Sequence, residues 1–178
     1  IEPHQKHLDS LGVPHRLVSL PEHLDGIHGL ILPGGESTTM IKLAKMFGLW
    51  EPLKQKALTI PYWGICAGSI LMAKEVENPS QESLSVMDLT VRRNAYGRQL
   101  ESFQGVVQLP NGQEDPAVFI RAPKFVRWGS QVKEAGRVSG EVCFLDDGFH
   151  LVTAFHPELT DSSWFHELFL KRIDTISI

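Results

Sequence analysis

Apolar positions along the chain fall into two regimes. In the first half, short apolar runs alternate with stretches of helical spacing. HRLVSL (15–20) and the stronger GLILP (29–33) read as strands. TMIKLAKMFG (39–48) follows with Met40, Leu43, Ala44 and Phe47 at helical spacing, and Ser37 and Thr38 ahead of it are good N-cap residues. EPLKQKAL (51–58) continues as a second short helix, IPYWGI (60–65) reads as a strand, and AGSILMAKEV (67–76) again has helical spacing. The opening IEPHQKHLDSLGV also reads as a helix, with Leu8 and Leu11 as a weak apolar face and Gly12 as a stop. Strand, helix, strand, helix argues for a parallel sheet with helices on its faces.

The second half changes character. SVMDLTV (85–91), SFQGVVQL (102–109) and AVFIRAP (117–123) are apolar or alternating runs separated by polar, Gly- and Pro-containing stretches. GEVCFLDDGFHLVTAFH (140–156) reads as a hairpin turning at Asp147-Gly148, a favoured turn dipeptide. DSSWFHELFLKRI (161–173) closes the pattern as an amphipathic helix capped by Asp161 or Ser162. The expected architecture is one α/β domain over residues 1–178: a flavodoxin-like, three-layer αβα fold with a mostly parallel sheet and added antiparallel strands.

Composition narrows the function classes. A length of 178 residues suits a single core, and 42% apolar with 21% charged residues is ordinary for a globular protein. The formal net charge of -4 gives no basic field for nucleic acid or an acidic membrane. No apolar run approaches the roughly 18 residues of a membrane span, and no signal peptide is visible. Two cysteines, Cys66 and Cys143, make no disulfide framework, so a reducing, cytoplasmic setting is expected.

The chemistry concentrates at three places. Gly64-Ile65-Cys66-Ala67-Gly68 has the form G-x-nucleophile-x-G, in which the nucleophile sits on a strained strand-to-helix turn. A cysteine at a helix start sees the positive end of the helix dipole, which favours the thiolate, and the Ala67 N–H would face a developing oxyanion. Alone, the pentapeptide fits a buried cysteine in a Gly-rich corner equally well. AFHPEL supplies His156 as a base and Glu158 as its orienting carboxylate. A spacing of two places both on one face of an extended segment, and Pro157 would end a strand there. Alone, these fit a surface His beside a surface Glu. LPGGEST (32–38) offers backbone N–H groups at a helix start, without the fingerprint of a dinucleotide or P-loop site. Elsewhere, His4 and His7 lie one helical turn apart with no third ligand and read as surface histidines. Cys143 reads as core. Trp50, Trp63, Trp128 and Trp164 are scattered and form no stacking platform.

Taken together, LILPGGESTTM, GICAGSILMAKE, RRNAYGRQ, VFIRAP and FHPELT closely resemble the glutaminase subunits of two-component pyridoxal 5'-phosphate synthases, which are class I glutamine amidotransferases. The Cys and HPE motifs alone would reach only the class; GGEST, RN-x-x-GRQ and IRAP narrow it. The resemblance runs in family order over roughly residues 1 to 172. It implies hydrolysis of L-glutamine to glutamate and ammonia through a Cys66 thioester, with His156 as base and Glu158 orienting it. It implies an oxyanion hole from Gly35 and Ala67. It implies glutamine contacts from Gly35, Glu36, Ser37, Arg93, Ile120 and Arg121. Read without that context, Arg92-Arg93 is a solvated basic pair and Arg121 a surface arginine. The resemblance further implies no metal and no cofactor. It implies delivery of ammonia to a (β/α)8-barrel synthase subunit within a hetero-oligomer, on whose docking activity depends.

Two departures stand out. The family usually has Thr where Ile65 stands, at a position expected to be buried. Its first apolar strand and LQGA turn also have no counterpart ahead of PHQKHLDSLG in this sequence. That strand is internal in the 2-1-3-4-5 order, so two unpaired strand edges are expected. Alternatives are a glutaminase subunit of another amidotransferase, or a non-catalytic scaffold subunit.

Overall fold

The computed structural model describes residues 1–94 and 102–176. The chain opens with helix α1 (Glu2–Ser10). Gly12, at φ +70°, ends it: the Gly12 N–H donates to the Asp9 carbonyl and the Val13 N–H to that of Leu8. Next come strand β1 (Leu30–Leu32), α2 (Ser37–Met46), α3 (Trp50–Lys56), β2 (Tyr62–Ile65) and α4 (Ala67–Met72). Strands β3 (Ala73–Glu77), β4 (Met87–Arg92), β5 (Ser102–Gln108), β6 (Glu114–Ile120), β7 (Lys124–Trp128), β8 (Lys133–Val138), β9 (Glu141–Asp146) and β10 (Leu151–Thr153) lead to the last helix, α5 (Trp164–Ile176).

Seven strands form one sheet in the order β1-β2-β10-β9-β8-β5-β6. β1, β2 and β10 run parallel at one end, and the remaining neighbours are antiparallel. β3, β4 and β7 make a separate three-stranded sheet. The expected α/β architecture, a parallel sheet extended by antiparallel strands, is observed, but the sheet is not mostly parallel: among the described residues it has two parallel and four antiparallel pairings.

Strand alternation on β2 sets the layers. Trp63 points to one face, against Phe165, His166 and Phe169 of α5 and His4 of α1. Gly64 points to the other, against Gly68 and Met72 of α4, and Tyr62 on that side hydrogen-bonds the Leu53 carbonyl of α3. The parallel strands are therefore sandwiched: α1 and α5 on one side, α3 and α4 on the other. All four β2 residues are buried, Ile65 fully so, as expected for a strand covered on both faces.

Several expectations need correction. Among the described residues, 13–19 join no ladder, so HRLVSL is not a strand, and β1 pairs only with β2 and is an edge. An extended apolar segment without a neighbour has no partners for its backbone groups and gains nothing from a strand's geometry. AGSILMAKEV splits at Met72, its second half becoming β3 against β4. The buried face of α2 is Ser37 and Ile41, with Met40 and Ala44 half-buried; Leu43 and Phe47 are exposed. Its cap is neither Ser37 nor Thr38 but Glu36, whose carboxylate accepts from the Thr38 and Thr39 N–H groups at 3.2 and 2.8 Å. The face α1 buries is His4 and His7, not Leu8 and Leu11. At α5 the Glu167 N–H donates to the Ser163 carbonyl, so Ser163 rather than Asp161 or Ser162 takes the cap position; the Ser162 hydroxyl just ahead of it accepts from the Trp164 N–H at 3.3 Å.

Candidate active site

The site is assembled at the ends of β2 and β10. Cys66 follows β2 directly and precedes α4, with φ +53° and ψ -106°. A non-glycine residue there is strained by about 1–3 kcal/mol, and something must hold it. The Cys66 N–H donates to the Thr153 carbonyl of β10 at 2.8 Å, and its carbonyl accepts from the Ser69 N–H at 3.0 Å. The strand-to-helix turn therefore presents the thiol at the sheet's end. The flanking glycines are steric necessities. A Cβ on Gly68 would overlap the Leu32 carbonyl of β1, and one on Gly64 would come within 2.7 Å of the Gly68 backbone.

His156 comes from the segment after β10, though not as an extended continuation of it. β10 ends at Thr153, and His156 is held by a single antiparallel bridge to Val118 of β6, with its N–H on the Val118 carbonyl at 2.8 Å. Pro157–Leu159 then forms a 3-10 turn that brings Glu158 back beneath the imidazole. The expected pairing is present, but a turn makes it rather than the alternation of a strand. His156 Nδ1 lies 2.8 Å from Glu158 Oε2, which leaves Nε2 for Cys66. Both side chains are buried, so neither is a surface residue. Burial opposes charge on the His156 ring. Hydrogen bonds to Cys66 and Glu158, together with the Glu158 field, outweigh burial and lift its pKa from 6.5 to about 9.

The third motif folds onto the same point. Gly34 lies against the edge of the His156 ring, where a Cβ would overlap Cε1. Gly35 is exposed with φ +148°, a conformation that favours glycine. Glu36 faces Arg93 at 3.6 Å, and its bonds to the Thr38 and Thr39 side chains hold its carboxyl down at about 2. Ser37 is buried and its hydroxyl donates to Gln81 at 3.2 Å. From β6, the Ile120 carbonyl lies 3.7 Å from Cys66 Sγ, and the exposed Arg121 follows at φ +46°. Ala67 opens α4, so its N–H stands among the donors that a first helical turn leaves unbonded. Of RRNAYGRQ, residues 95–99 lie outside the described residues. The second cysteine, Cys143, is buried in β9, and burial pushes its thiol up to about 12, which keeps it a neutral thiol at neutral pH. Among the described residues, no group of three or more His, Cys, Asp or Glu is placed to hold a metal ion, and no helix is long and apolar enough to cross a membrane.

Sequence reasoning placed His4 and His7 at the surface, and both are buried. His4 is buried with Nε2 3.6 Å from Glu158 Oε2, and His7 is buried against the Glu158 and Thr160 carbonyls at 3.2 and 3.0 Å. A weak apolar face on α1 was the available clue: a helix that buries something, with too few hydrophobic side chains to bury.

Known proteins resemble this chain over nearly its whole length. A family model described as the SNO glutamine amidotransferase family matches residues 1–175. A pyridoxal 5'-phosphate synthase subunit PdxT from Fervidobacterium nodosum is 47% identical over 174 residues, 96% of this chain and 91% of that one. The PdxT subunit from Thermotoga neapolitana is 46% identical over 176 residues, 97% of this chain and 94% of that one. A crystal structure of a glutamine amidotransferase superposes with a TM-score of 0.91 at 38% identity, covering 97% of this chain and 93% of that one. With a site of this form and matches running nearly end to end, the chain belongs to the SNO glutamine amidotransferase family.

Proposed function

We propose that this chain is the glutaminase subunit of a pyridoxal 5'-phosphate synthase. It hydrolyses L-glutamine to L-glutamate and ammonia and passes the ammonia to the synthase subunit. The observation that carries the reading is Cys66, strained at the β2–α4 turn, with the His156–Glu158 pair hydrogen-bonded behind it. The names of the relatives supply the pathway.

The steps follow from the atoms present. Cys66 Sγ, its proton already carried by His156 Nε2, attacks the side-chain amide carbon of glutamine. The carbonyl oxygen becomes an oxyanion, received by the N–H groups of Gly35 and Ala67. Collapse breaks the C–N bond; His156 returns its proton to the nitrogen, which leaves as ammonia. Water, deprotonated by His156, then attacks the glutamyl thioester, the C–S bond breaks, and glutamate leaves as the thiol is restored. Glu158 holds the imidazole tautomer throughout. Arg93 is the cation for the substrate α-carboxylate, and Glu36, Ser37 and the Ile120–Arg121 backbone complete the glutamine contacts.

The partner is a (β/α)8-barrel synthase subunit in a hetero-oligomer, and the setting is cytoplasmic. Docking beside Gly34-Gly35 orients the Gly35 N–H into the oxyanion hole. Glutamate release is therefore expected to be slow for this chain alone and to rise at least tenfold on adding the synthase. Equal rates with and without it would rule the coupling out.

A further inference from the structure

Behind the Cys66–His156–Glu158 line, the structure continues into α1 and α5. His4 Nε2 lies 3.6 Å from Glu158 Oε2, and His4 Nδ1 lies 3.0 Å from His166 Nε2. His7 stacks on His166 with centroids 4.4 Å apart, and Trp63 packs edge-on against His4 and His166. All three histidines are buried.

Three polar atoms in this cluster are buried without a hydrogen-bond partner among the described residues: His4 Nε2, His166 Nδ1 and Glu158 Oε1. Two tautomer arrangements satisfy the His4–His166 bond. If His4 Nδ1 donated, the His4 Nε2 lone pair would face a carboxylate oxygen and His166 would bury an unpartnered Nδ1–H. If instead His166 Nε2–H donates to His4 Nδ1, the His4 Nε2–H points at Glu158 and only a lone pair on His166 goes unused. The second arrangement replaces a repulsion with an attraction and strands no donor, so it is favoured. Burial also lowers the pKa of His4 to about 4 and of His166 to about 3, keeping both neutral and able to serve as donor and acceptor at once.

We propose that His4, oriented by His166, is a positioning residue for the Glu158 carboxylate, donating from Nε2 and so extending the line to five side chains. At 3.6 Å the contact is just beyond hydrogen-bond length. The oxygen His4 faces, Glu158 Oε2, also accepts from His156 Nδ1; His4 Nε2 has no other partner among the described residues, and such bonds commonly shorten when substrate is bound. The chemistry couples α1 to the reacting atoms: a carboxylate free to swing no longer fixes the His156 ring toward the thiol.

This inference rests on the reading of His156 and Glu158 as base and orienter, and the test separates the two. Glutaminase kinetics are measured in the complex with the synthase. His4→Gln places an amide donor near the position of Nε2, whereas His4→Asn stops short of it. The expected result is kcat lowered about tenfold or more in His4→Asn with KM within twofold, and restored to within about threefold in His4→Gln. In a Glu158→Gln background, His4→Asn is expected to cost nothing further. Equal kcat in the two His4 variants, or full additivity with Glu158→Gln, would overturn the proposal and leave His4 a packing residue. Unchanged kcat in Glu158→Gln alone would overturn the underlying reading of the site instead. Should His4→Asn fail to fold, His166→Gln against His166→Asn reads the same line one step back, with the same order expected.

Discussion

At the scale of single residues, the buried histidines divide by their surroundings. His156 gains a carboxylate and a thiol partner, and its pKa rises from 6.5 to about 9; His4 and His166 mainly lose water, and theirs fall to about 4 and about 3. Opposite slopes of stability with pH follow. Protonated His156 stabilises the fold fully below about pH 6.5, and that contribution is lost as pH rises through 9. His4 and His166 act the other way: between pH 6.5 and about 4 the unfolded chain takes protons that the folded chain refuses, so acid destabilises. Stability is expected to peak near pH 6.5. It should fall by about 3 kcal/mol on the alkaline side through His156 alone, at 1.36 kcal/mol per pKa unit. Denaturant midpoints from pH 4 to 9.5 measure this, and His156→Asn should flatten the alkaline limb while sparing the acid one. An alkaline limb unchanged in that variant would show that the His156 proton is not held as described.

At the scale of elements, the crossing of α4 over β1 and β2 sets the position of Cys66. Gly68 touches the Leu32 carbonyl, so the distance from helix to sheet is fixed by a missing Cβ. Gly68→Ala must push α4 away from β1 or distort the Cys66 turn. A loss of about 1–3 kcal/mol, the range for overpacking a core, is expected in thermal unfolding, with glutaminase activity falling further than stability. Wild-type stability and activity in this variant would mean that the close approach is not needed. Most of this region was legible in the sequence. The G-x-C-x-G turn, the hairpin at Asp147-Gly148 and the last helix each carry a local signal strong enough to survive packing. What was not legible depends on neighbours. HRLVSL looks like a strand but finds no ladder. β7 and β8 bury few side chains and leave almost no alternation to read, and β3 carries helix-forming residues that pairing with β4 overrides.

At the scale of the whole molecule, the fold gathers three sequence-distant motifs at the end of the parallel strands. β2 delivers Cys66, the turn after β10 delivers His156 and Glu158, and the turn after β1 lays Gly34 on the His156 ring. The grouping of Cys66, His156 and Glu158 was legible because its residue types and spacing are chemically specific. Its supporting histidines were not, because one helical turn between two histidines says nothing about what lies 160 residues away. The measurement that bears most directly on the proposed chemistry is covalent capture. The chain, with its synthase partner, is treated with a diazoketone analogue of glutamine and mapped by peptide mass spectrometry. The expected result is a single adduct on Cys66, with Cys143 unmodified, competed by L-glutamine and absent in Cys66→Ala. No adduct on Cys66 in the presence of the synthase, or labelling that L-glutamine does not prevent, would contradict the reading of this chain as a cysteine-dependent glutaminase.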